Sequence, residues 1–292
     1  MEQRSGFVNI VGNPNTGKST LMNRLIGHNL SIITPKAQTT RHRILGILNG
    51  DGYQIVFSDT PGLVKPRYKL QHSMLKASAS ALDDADILLI VTTPEDDTIH
   101  LDTLFPRIAE SEAHKIIVIN KIDISSQPAI EQMVDRWSER IPGGITVPVS
   151  ARLGFNLDQL LKVITGLLPL GEPFFPEGEI SDRYERFFAS EIIREKVLLN
   201  YRQEVPYSTE VEISSFTEES SIIRISAIIH TERESQKGIV IGHRGSGLKK
   251  TGTMARESLE EFLGKKVFLE LRVKVSPNWR EKVSMLKRFG YH

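Results

Sequence analysis

Short apolar runs alternate with longer helical patterns through the first 168 residues. The apolar runs have the length of buried strands, and the segments between most of them repeat apolar side chains with the period of a helix. Strands that alternate with helices predict a mostly parallel sheet covered by helices on both faces. The strands are predicted at 7–11, 53–57, 86–91, 115–120 and 145–150, and the helices at 18–27, 69–82, 98–112, 127–140 and 156–168.

One connection in this region is too short to contain a helix. The turn Asn49-Gly50-Asp51-Gly52 joins the segment RHRILGILNG directly to the strand that begins at Tyr53. An Asn-Gly or Asp-Gly turn between two apolar segments favours a β-hairpin. The sequence therefore predicts one antiparallel strand at the edge of the parallel sheet.

A proline- and glycine-rich segment separates two predicted domains. Residues 168–181 read LPLGEPFFPEGEIS, with three prolines and two glycines that end helices and stiffen a linker. Beyond it we expect a small α+β domain with the order helix, strand, strand, helix, strand. Its first helix carries Tyr184, Phe187, Phe188 and Ile192 at helical spacing. The predicted division is a first domain at 1–168, a linker at 169–182, a second domain at 183–276 and a basic C-terminal segment at 277–292.

Composition adds one useful asymmetry. The chain has 292 residues, no cysteine and a formal net charge of +1. The lack of cysteine excludes disulfides, thiolate metal sites and a cysteine nucleophile. Residues 237–292, however, carry 13 Lys and Arg against 5 Asp and Glu. Such a basic C-terminal part indicates a polyanionic partner, and the alternative is a solvated surface that happens to be basic.

The segment GNPNTGKS, from Gly12 to Ser19, fits the phosphate-binding pattern G-x-x-x-x-G-K-[ST] between a strand and a helix. Gly12 and Gly17 let backbone N–H groups turn toward phosphate oxygens, and the helix start adds a positive dipole end. Lys18 has the reach to contact the β- and γ-phosphates, and the Ser19 hydroxyl suits Mg²⁺. The predicted nucleotide-binding residues in this loop are Gly12, Asn13, Pro14, Asn15, Thr16, Gly17, Lys18, Ser19 and Thr20.

The segment NKID, from Asn120 to Asp123, predicts that the base is guanine. A carboxylate accepts hydrogen bonds from the N1–H and the 2-amino group of guanine, whereas adenine has neither donor at these positions. The segment VSA at 149–151 follows another strand and is placed to present backbone N–H groups to guanine O6. The residues predicted to surround the base are Asn120, Lys121, Ile122, Asp123, Ser150 and Ala151.

The segment DTPG follows the strand 53–57. Asp59 is placed to hold Mg²⁺ through water, and the Gly62 N–H is placed to meet the γ-phosphate. A threonine of the polar segment QTTRH is expected to close over both groups, and we favour Thr40 over Thr39. The predicted metal ligands are Ser19, Thr40 and Asp59, and the predicted nucleotide contacts of this loop are Asp59, Thr60, Pro61, Gly62 and Leu63.

Together these segments resemble the GTPase domain of translation-factor-like G proteins. Leu63 occupies the position where many GTPases carry a water-orienting Gln. Asn15 lies in the loop as it does in GTPases that use K⁺ in place of an arginine finger. The resemblance implies slow, Mg²⁺-dependent and K⁺-stimulated hydrolysis, and Arg41 and Arg43 are weaker candidates for a catalytic cation. The residues implied in catalysis are Asn15, Lys18, Thr40 and Gly62.

A second glycine-rich loop, GHRG at 242–245, does not fit a nucleotide site. It lacks a following GK[ST], and it lies in the small α+β domain. G-x-x-G in such a domain is the arrangement of a KH domain, whose loop clamps the backbone of about four nucleotides of RNA. A bare G-x-x-G is also a common turn, but the order of elements and the local charge favour RNA. The predicted RNA-binding residues are Ile241, Gly242, His243, Arg244, Gly245, Lys249, Lys250 and Arg256.

A GTPase domain followed by a type II KH domain resembles the Era family of bacterial GTPases. The segments QTTRHRILG, REKVLL, VIGHRG and VKVSPNWREKVSMLKRFGY carry the resemblance, which covers the whole chain. It implies binding of GTP and GDP, and of 16S ribosomal RNA near its 3′ end. It also implies a checkpoint role in assembly of the 30S subunit, and a cytoplasmic location with loose association at the inner face of the cell membrane.

Two alternatives belong to other classes. A tRNA-modifying enzyme with a regulatory GTPase domain would need a cofactor site or a nucleophilic cysteine, and the sequence offers neither. A signalling GTPase whose C-terminal domain binds a protein or a membrane stays open at this point. His230 and His243 are expected to be surface groups and not metal ligands.

Overall fold

The computed structural model describes residues 2–95 and 104–291, which form two compact units. The first unit holds the described residues up to Ser31, then Thr40–Arg67 and Gln71–Asp182. The second holds Ile32–Thr39, Tyr68–Leu70 and the residues from Arg183 onward. Part of the helix predicted at 98–112 lies outside the described residues.

The first unit is built on a six-stranded sheet of order β2-β3-β1-β4-β5-β6. All neighbouring pairs are parallel except β2 with β3, so the hairpin and its antiparallel edge strand are confirmed. The central strands are buried along nearly their whole length, as expected for strands covered on both faces. The strands are β1 Arg4–Val11, β2 Ile44–Gly50, β3 Tyr53–Asp59, β4 Ile87–Thr92, β5 His114–Ile119 and β6 Ile145–Pro148.

Helices connect these strands and bury their apolar faces against the sheet. Trp137 and Met133 of one helix pack with Leu88, Ile90 and Ile117 of the sheet in a single buried cluster. The helices are α1 Lys18–Ile26, α2 Lys69–Ser80, α3 Phe105–Glu110, α4 Gln127–Arg140 and α5 Leu157–Leu167. The doubly covered sheet is the fold class expected from the sequence, and it brings the carboxyl ends of β1, β3 and β5 to one edge.

The proline-rich segment after α5 packs on the first unit. The Gln54 side chain donates to the Phe175 carbonyl at 2.8 Å and accepts N–H bonds from Phe174 and Phe175 at 2.7 and 3.0 Å. The Ile47 N–H of β2 donates to the Ile180 carbonyl at 2.9 Å, so this segment also occupies part of the free edge of the sheet.

The second unit is a three-stranded sheet with helices packed on it. Strand β8 pairs antiparallel with β7 and parallel with β9. Ile193 and Val197 of α6 meet Ile225 of β8 and Leu259 of α8 in one core. The elements are α6 Glu185–Asn200, β7 Glu210–Glu218, β8 Ile222–Thr231, α7 Glu234–Ile241, α8 Ser246–Leu263, β9 Lys266–Val275 and α9 Val283–Arg288.

Helix α7 is missing from the order predicted for this unit, and that prediction was wrong on this point. Its sequence ESQKGIVI carries Gly238 in the interior, which weakens a helix, and ends in a β-branched run typical of a strand. The helix is started by Gln236, whose side-chain oxygen accepts N–H bonds from Glu232 and Arg233 at 3.0 and 3.1 Å. The resulting order, helix-strand-strand-helix-helix-strand, places two helices around the glycine-rich loop.

The basic C-terminal segment folds back on this unit. Trp279 is buried, and its indole N–H donates to the Ser208 carbonyl at 2.8 Å. Tyr291 is also buried, and its hydroxyl donates to Glu210 at 2.5 Å. Within the described chain, no helix combines the length and the apolar character that crossing a bilayer requires.

The expectation that His230 is a surface group was wrong. Its side chain on β8 is 1% exposed, with Nδ1 2.8 Å from the Ser276 hydroxyl and Nε2 3.0 Å from Glu212. Burial lowers the pKa of His230, and the neighbouring Glu212 partly opposes this effect. Alternation along β8 puts Ile225, Ala227 and Ile229 in the core and therefore favours the opposite face for His230. The two residues that contact its ring, Glu212 and Ser276, are distant from it in sequence.

Candidate nucleotide site and RNA-binding loop

The phosphate loop has the backbone conformation that its glycines permit. Gly12 and Gly17 have φ of 155° and 95°, and Asn15 between them has φ of 63°. A Cβ on Gly12 would lie 2.2 Å from the Val91 carbonyl oxygen, so only glycine fits there. Gly17 lies at the start of α1, where the first N–H groups of the helix point outward and favour an anion.

Lys18 is buried beneath this loop. Its ammonium donates to the Gly12 and Asn13 carbonyls at 3.0 and 2.8 Å. The Asn13 carbonyl also accepts the Thr16 hydroxyl at 3.0 Å, which holds the loop closed. The lysine is therefore held at the centre of the turn, where phosphate oxygens would compete with the carbonyls for its protons.

Ser19, Thr40 and Asp59 meet at the carboxyl edge of the sheet. The Ser19 hydroxyl donates to Asp59 Oδ2 at 2.6 Å, and the Thr40 hydroxyl lies 2.9 Å from Ser19 Oγ and 3.2 Å from the same carboxylate oxygen. Asp59 is fully buried, and its Oδ1 accepts no hydrogen bond from the described residues. Burial raises the pKa of the Asp59 carboxyl, and the Ser19 hydrogen bond and the charge of Lys18 partly oppose this.

These three oxygen ligands fit a magnesium site. Mg²⁺ prefers carboxylate and hydroxyl oxygens together with water and phosphate. A bound cation would supply a positive charge beside the buried Asp59 carboxylate, and its coordination would engage the lone pairs of Oδ1. Thr39 takes no part in this cluster, since its hydroxyl lies 2.7 Å from Thr34 Oγ1 and donates to the Lys36 carbonyl at 2.6 Å. The geometry thus supports the choice of Thr40.

The predicted base loop is fastened to the phosphate loop. The Asn120 side chain donates to the Thr16 carbonyl at 2.8 Å and accepts the Ala151 N–H at 3.0 Å. Asp123 accepts the Ser150 hydroxyl at 2.7 Å and pairs with Arg152 at 3.2 Å. The structure therefore brings 120–123 and 150–151 together, as their positions after β5 and β6 require.

The DTPG segment also reaches the phosphate loop. A Cβ on Gly62 would lie 2.9 Å from the Pro14 Cα, so this glycine allows the two loops to touch. The Thr60 hydroxyl donates to the Ile10 carbonyl at 2.7 Å, and Leu63 is buried in the core. Leu63 consequently does not present a polar group to water at the position where other GTPases carry Gln.

The loop GHRG connects α7 to α8 in the second unit. Gly242 and Gly245 have φ of 72° and 81°, and Arg244 adopts a left-handed conformation with φ of 50°. A Cβ on Gly242 would lie 2.8 Å from the Gly247 nitrogen, whereas a Cβ on Gly245 would meet no protein atom within 4 Å. His243 and Arg244 are exposed at the tip. The loop is thus tightly packed at Gly242, whereas Gly245 faces open space.

A groove of about 410 Å³ runs from this loop along α8 to β9. Its wall combines apolar and cationic side chains, as a surface for bases and phosphates requires. Of the predicted RNA-binding residues, Gly245, Lys249 and Arg256 line it, and Lys250 is exposed nearby on α8. Arg256 pairs with Glu260 at 3.0 Å, so its charge is partly neutralised. The lining residues are Gly245, Leu248, Lys249, Gly252, Thr253, Arg256, Leu269 and Leu271.

Two contacts of these sites were not foreseen from the sequence. Arg152 pairs with the Asp123 carboxylate, and the only signal in the sequence was its place next to the VSA segment. The Tyr201 hydroxyl, at the end of α6, lies 2.9 Å from the Thr251 hydroxyl of α8. It also donates to the Val240 carbonyl, just before the GHRG loop, at 2.8 Å. No local pattern marks such a long-range brace.

Comparison with known proteins agrees with this architecture. Residues 7–121 match the family described as 50S ribosome-binding GTPase, and residues 204–280 match the KH domain. A GTPase Era from Geotalea daltonii is 43% identical over 289 residues, covering 98% of this chain and 97% of its own length. The chain belongs to the Era family of GTPases.

Other Era proteins show the same full-length similarity. The GTPase Era of Staphylococcus epidermidis is 39% identical over 292 residues, covering 99% of this chain and 98% of its own. A crystal structure of Era with MgGDPNP and nucleotides 1506–1542 of 16S ribosomal RNA has a TM-score of 0.95 and 40% identity, with 99% of both chains covered. An Era variant from Aquifex aeolicus bound to GDP·AlF4⁻ gives the same values.

Proposed function

We propose that this GTPase binds single-stranded RNA at the 3′ end of 16S ribosomal RNA and acts as a checkpoint in assembly of the 30S subunit. One observation carries the proposal: a bare glycine loop opens onto a groove lined by Lys249 and Arg256, in a chain that also holds a phosphate loop. The similar Era structure was solved with a GTP analogue and an RNA of this kind. In the described chain, no observation favours the signalling alternative.

The nucleotide site is proposed to work by positioning and charge. The N–H groups of the phosphate loop and the Lys18 ammonium would hold the β- and γ-phosphates, and the Gly62 N–H would meet the γ-phosphate. Ser19, Thr40 and Asp59 would hold Mg²⁺. Bound Mg²⁺ supplies positive charge to the phosphate oxygens. Asp123 would select guanine, while Asn120 holds the base loop and the phosphate loop in register.

K⁺ is proposed as a second cation for hydrolysis. Leu63 is buried and apolar, so it cannot orient water as a Gln does. Asn15 is exposed in the phosphate loop and has a left-handed backbone with φ of 63°. Amide and carbonyl oxygens are hard ligands that suit an alkali cation. Slow hydrolysis that K⁺ stimulates is the expected outcome.

The location proposed is the cytoplasm, where ribosomal subunits assemble. Loose association with the inner face of the membrane is a further expectation from the family resemblance, and the basic second unit is the part that anionic lipids would attract.

The RNA proposal is tested by replacing His243 and Arg244 together with Asp. The change puts two negative charges at the loop tip and leaves both glycines in place. Binding of a single-stranded 16S 3′-end oligonucleotide should weaken at least tenfold and depend less steeply on salt, because each phosphate or base contact contributes on the order of 1–3 kcal/mol. GTP binding, measured in parallel, should not change. Wild-type RNA affinity in the double variant would remove the loop from the RNA site.

A further inference from the structure

Ser31 carries a buried hydroxyl in the segment between α1 and β2 of the first unit. The residue is 3% exposed, and its Oγ makes no hydrogen bond to any described residue. A buried hydroxyl without a partner gives up its hydrogen bonds to water and gains none in the protein, which disfavours folding. Alanine would occupy nearly the same space without this cost. Packing alone therefore does not account for a serine at this position.

The backbone of Ser31 is held in place by Asn23 of α1. The Asn23 side chain accepts the Ser31 N–H at 3.0 Å and donates to the Ser31 carbonyl at 2.7 Å. Both residues are buried, so water does not compete for these two bonds. Residues four apart on a helix lie on the same face, and Asn23 follows Ser19 by four. The face of α1 that carries the proposed metal ligand Ser19 therefore also fixes Ser31.

Asp59 is the other buried group of this region that has an oxygen without a hydrogen bond. Its Oδ2 accepts the Ser19 hydroxyl at 2.6 Å and lies 3.2 Å from the Thr40 hydroxyl, whereas its Oδ1 accepts no hydrogen bond from the described residues. Burial raises the pKa of the Asp59 carboxyl, and the Ser31 hydroxyl is one of the groups that oppose this rise. The hydroxyl of Ser31 thus lies near the carboxylate of Asp59.

The register of the β2–β3 hairpin agrees with this placement. Leu30, which precedes Ser31, packs on β2, since a Cβ added to Gly46 would lie 3.2 Å from the Leu30 Cδ1. Gly46 pairs with Phe57 of β3, and Asp59 follows Phe57 by two residues on the same face of the sheet. Two residues along a strand span about 7 Å. Leu30 and Ser31 therefore pass over the part of the sheet from which the Asp59 side chain projects.

We propose that Ser31 is a positioning residue for the magnesium site, whose hydroxyl donates to Oδ1 of Asp59 and holds the carboxylate in the orientation that serves Mg²⁺. This inference rests on the proposed magnesium site and adds a residue that does not itself bind the cation. A hydroxyl suits this role because its proton can rotate toward a free lone pair of the carboxylate. Groups that hydrogen-bond to a metal ligand fix its orientation, and the loss of one weakens metal binding by about 10–100-fold.

The test measures how Mg²⁺ slows the release of a fluorescent GDP from the full chain. The Mg²⁺ concentration that gives half of the effect reports the affinity for the metal. Ser31→Ala removes the hydroxyl, and Ser31→Cys restores most of the volume with a group that is only a weak donor. Asp59→Ala checks the metal site itself. The matched control is Ser208→Ala, which removes another buried serine hydroxyl, one that donates to the Val205 carbonyl at 3.0 Å in the second unit.

Ser31→Ala and Ser31→Cys should both need about tenfold more Mg²⁺ than the wild type, and Asp59→Ala should need still more. Ser208→Ala should respond to Mg²⁺ normally. In EDTA, GDP release from Ser31→Ala should match that of the wild type, because the hydroxyl acts only through the metal site. The thermal stability of Mg²⁺-free Ser31→Ala should not fall, since its hydroxyl has no hydrogen bond to lose.

A wild-type Mg²⁺ requirement in Ser31→Ala would overturn the inference and leave the magnesium site standing. Recovery by Ser31→Cys would also overturn it, because the volume of the side chain and not its hydroxyl would then matter. The same holds for faster GDP release from Ser31→Ala in EDTA or for a lower stability, either of which would indicate a structural role. A wild-type Mg²⁺ response in Asp59→Ala would instead refute the proposed magnesium site, and the inference with it.

Discussion

The side-chain amide of Asn120 donates a hydrogen bond to the Thr16 carbonyl at 2.8 Å. This contact fastens the NKID loop to the phosphate loop. The Asn120 side-chain nitrogen would lie only 2.2 Å from a Cβ added to Gly17. The residue is 2% exposed. Asn120 therefore aligns the two loops, and we expect the carboxylate of Asp123 to select the base.

Asp123→Asn should weaken GTP at least tenfold and strengthen xanthosine triphosphate, because it replaces an acceptor by a donor opposite the purine 2-position. A hydrogen bond to a charged group contributes about 1.5–3 kcal/mol. Nucleotide titration with both triphosphates measures the exchange. Arg152→Ala is the matched control, since it removes the 3.2 Å ion pair but keeps the acceptor, and it should change GTP affinity much less. Unchanged GTP affinity in Asp123→Asn would contradict the assignment.

GTP hydrolysis should be faster in KCl than in NaCl at equal ionic strength, and Asn15→Gly should abolish the difference. Glycine is the suitable replacement because Asn15 has φ of 63°, which glycine adopts without strain and alanine does not. The experiment measures single-turnover rates in both salts for both proteins. Equal wild-type rates in the two salts would refute K⁺ stimulation, and a K⁺ effect that survives in Asn15→Gly would move the cation site elsewhere.

Elements with strong local signals were predictable from the sequence. The β1–α1 turn was recognisable because Gly12, Gly17 and Lys18 have fixed spacing, and the hairpin because its turn residues are specific. Helix α7 was missed because an interior glycine and a β-branched end contradict its helical state, which depends on the Gln236 cap and on packing. His230 was misplaced for a related reason, since its partners Glu212 and Ser276 are distant in sequence and its burial depends on the folded-back C-terminal segment.

The buried His230 should make the second unit less stable in mild acid. Its pKa is lowered in the folded state, so as the pH falls below about 6.5 the unfolded chain binds a proton that the folded protein resists. The free energy of unfolding then decreases, with a slope of at most about 1.4 kcal/mol per pH unit. The charged groups that face the ring are Glu212, Glu210 and Arg288, and none of them comes from the nucleotide site.

Denaturant unfolding between pH 5 and 8 measures this effect, followed by Trp279 fluorescence in a Trp137→Phe background so that the signal reports the second unit. His230→Gln keeps hydrogen-bonding groups but does not titrate, and it should show a shallower loss of stability below pH 6.5. Parallel pH profiles for the two proteins would show that other groups govern the acid sensitivity.

Gly245→Ala should weaken RNA binding about tenfold without unfolding the loop. Gly245 has φ of 81°, and a Cβ there would meet no protein atom. The substitution therefore costs only the strain of a left-handed alanine, on the order of 1–2 kcal/mol of folding stability. The added methyl would point into the space at the loop where an RNA backbone is expected. Gly264→Ala is a close control, because Gly264 flanks the other end of the same helix with φ of 65° and equally open surroundings. Both variants should lose similar stability in thermal unfolding, but only Gly245→Ala should lose affinity for the 16S oligonucleotide, by about tenfold. Equal RNA binding by the two alanine variants would mean that the loop needs its glycines for folding alone.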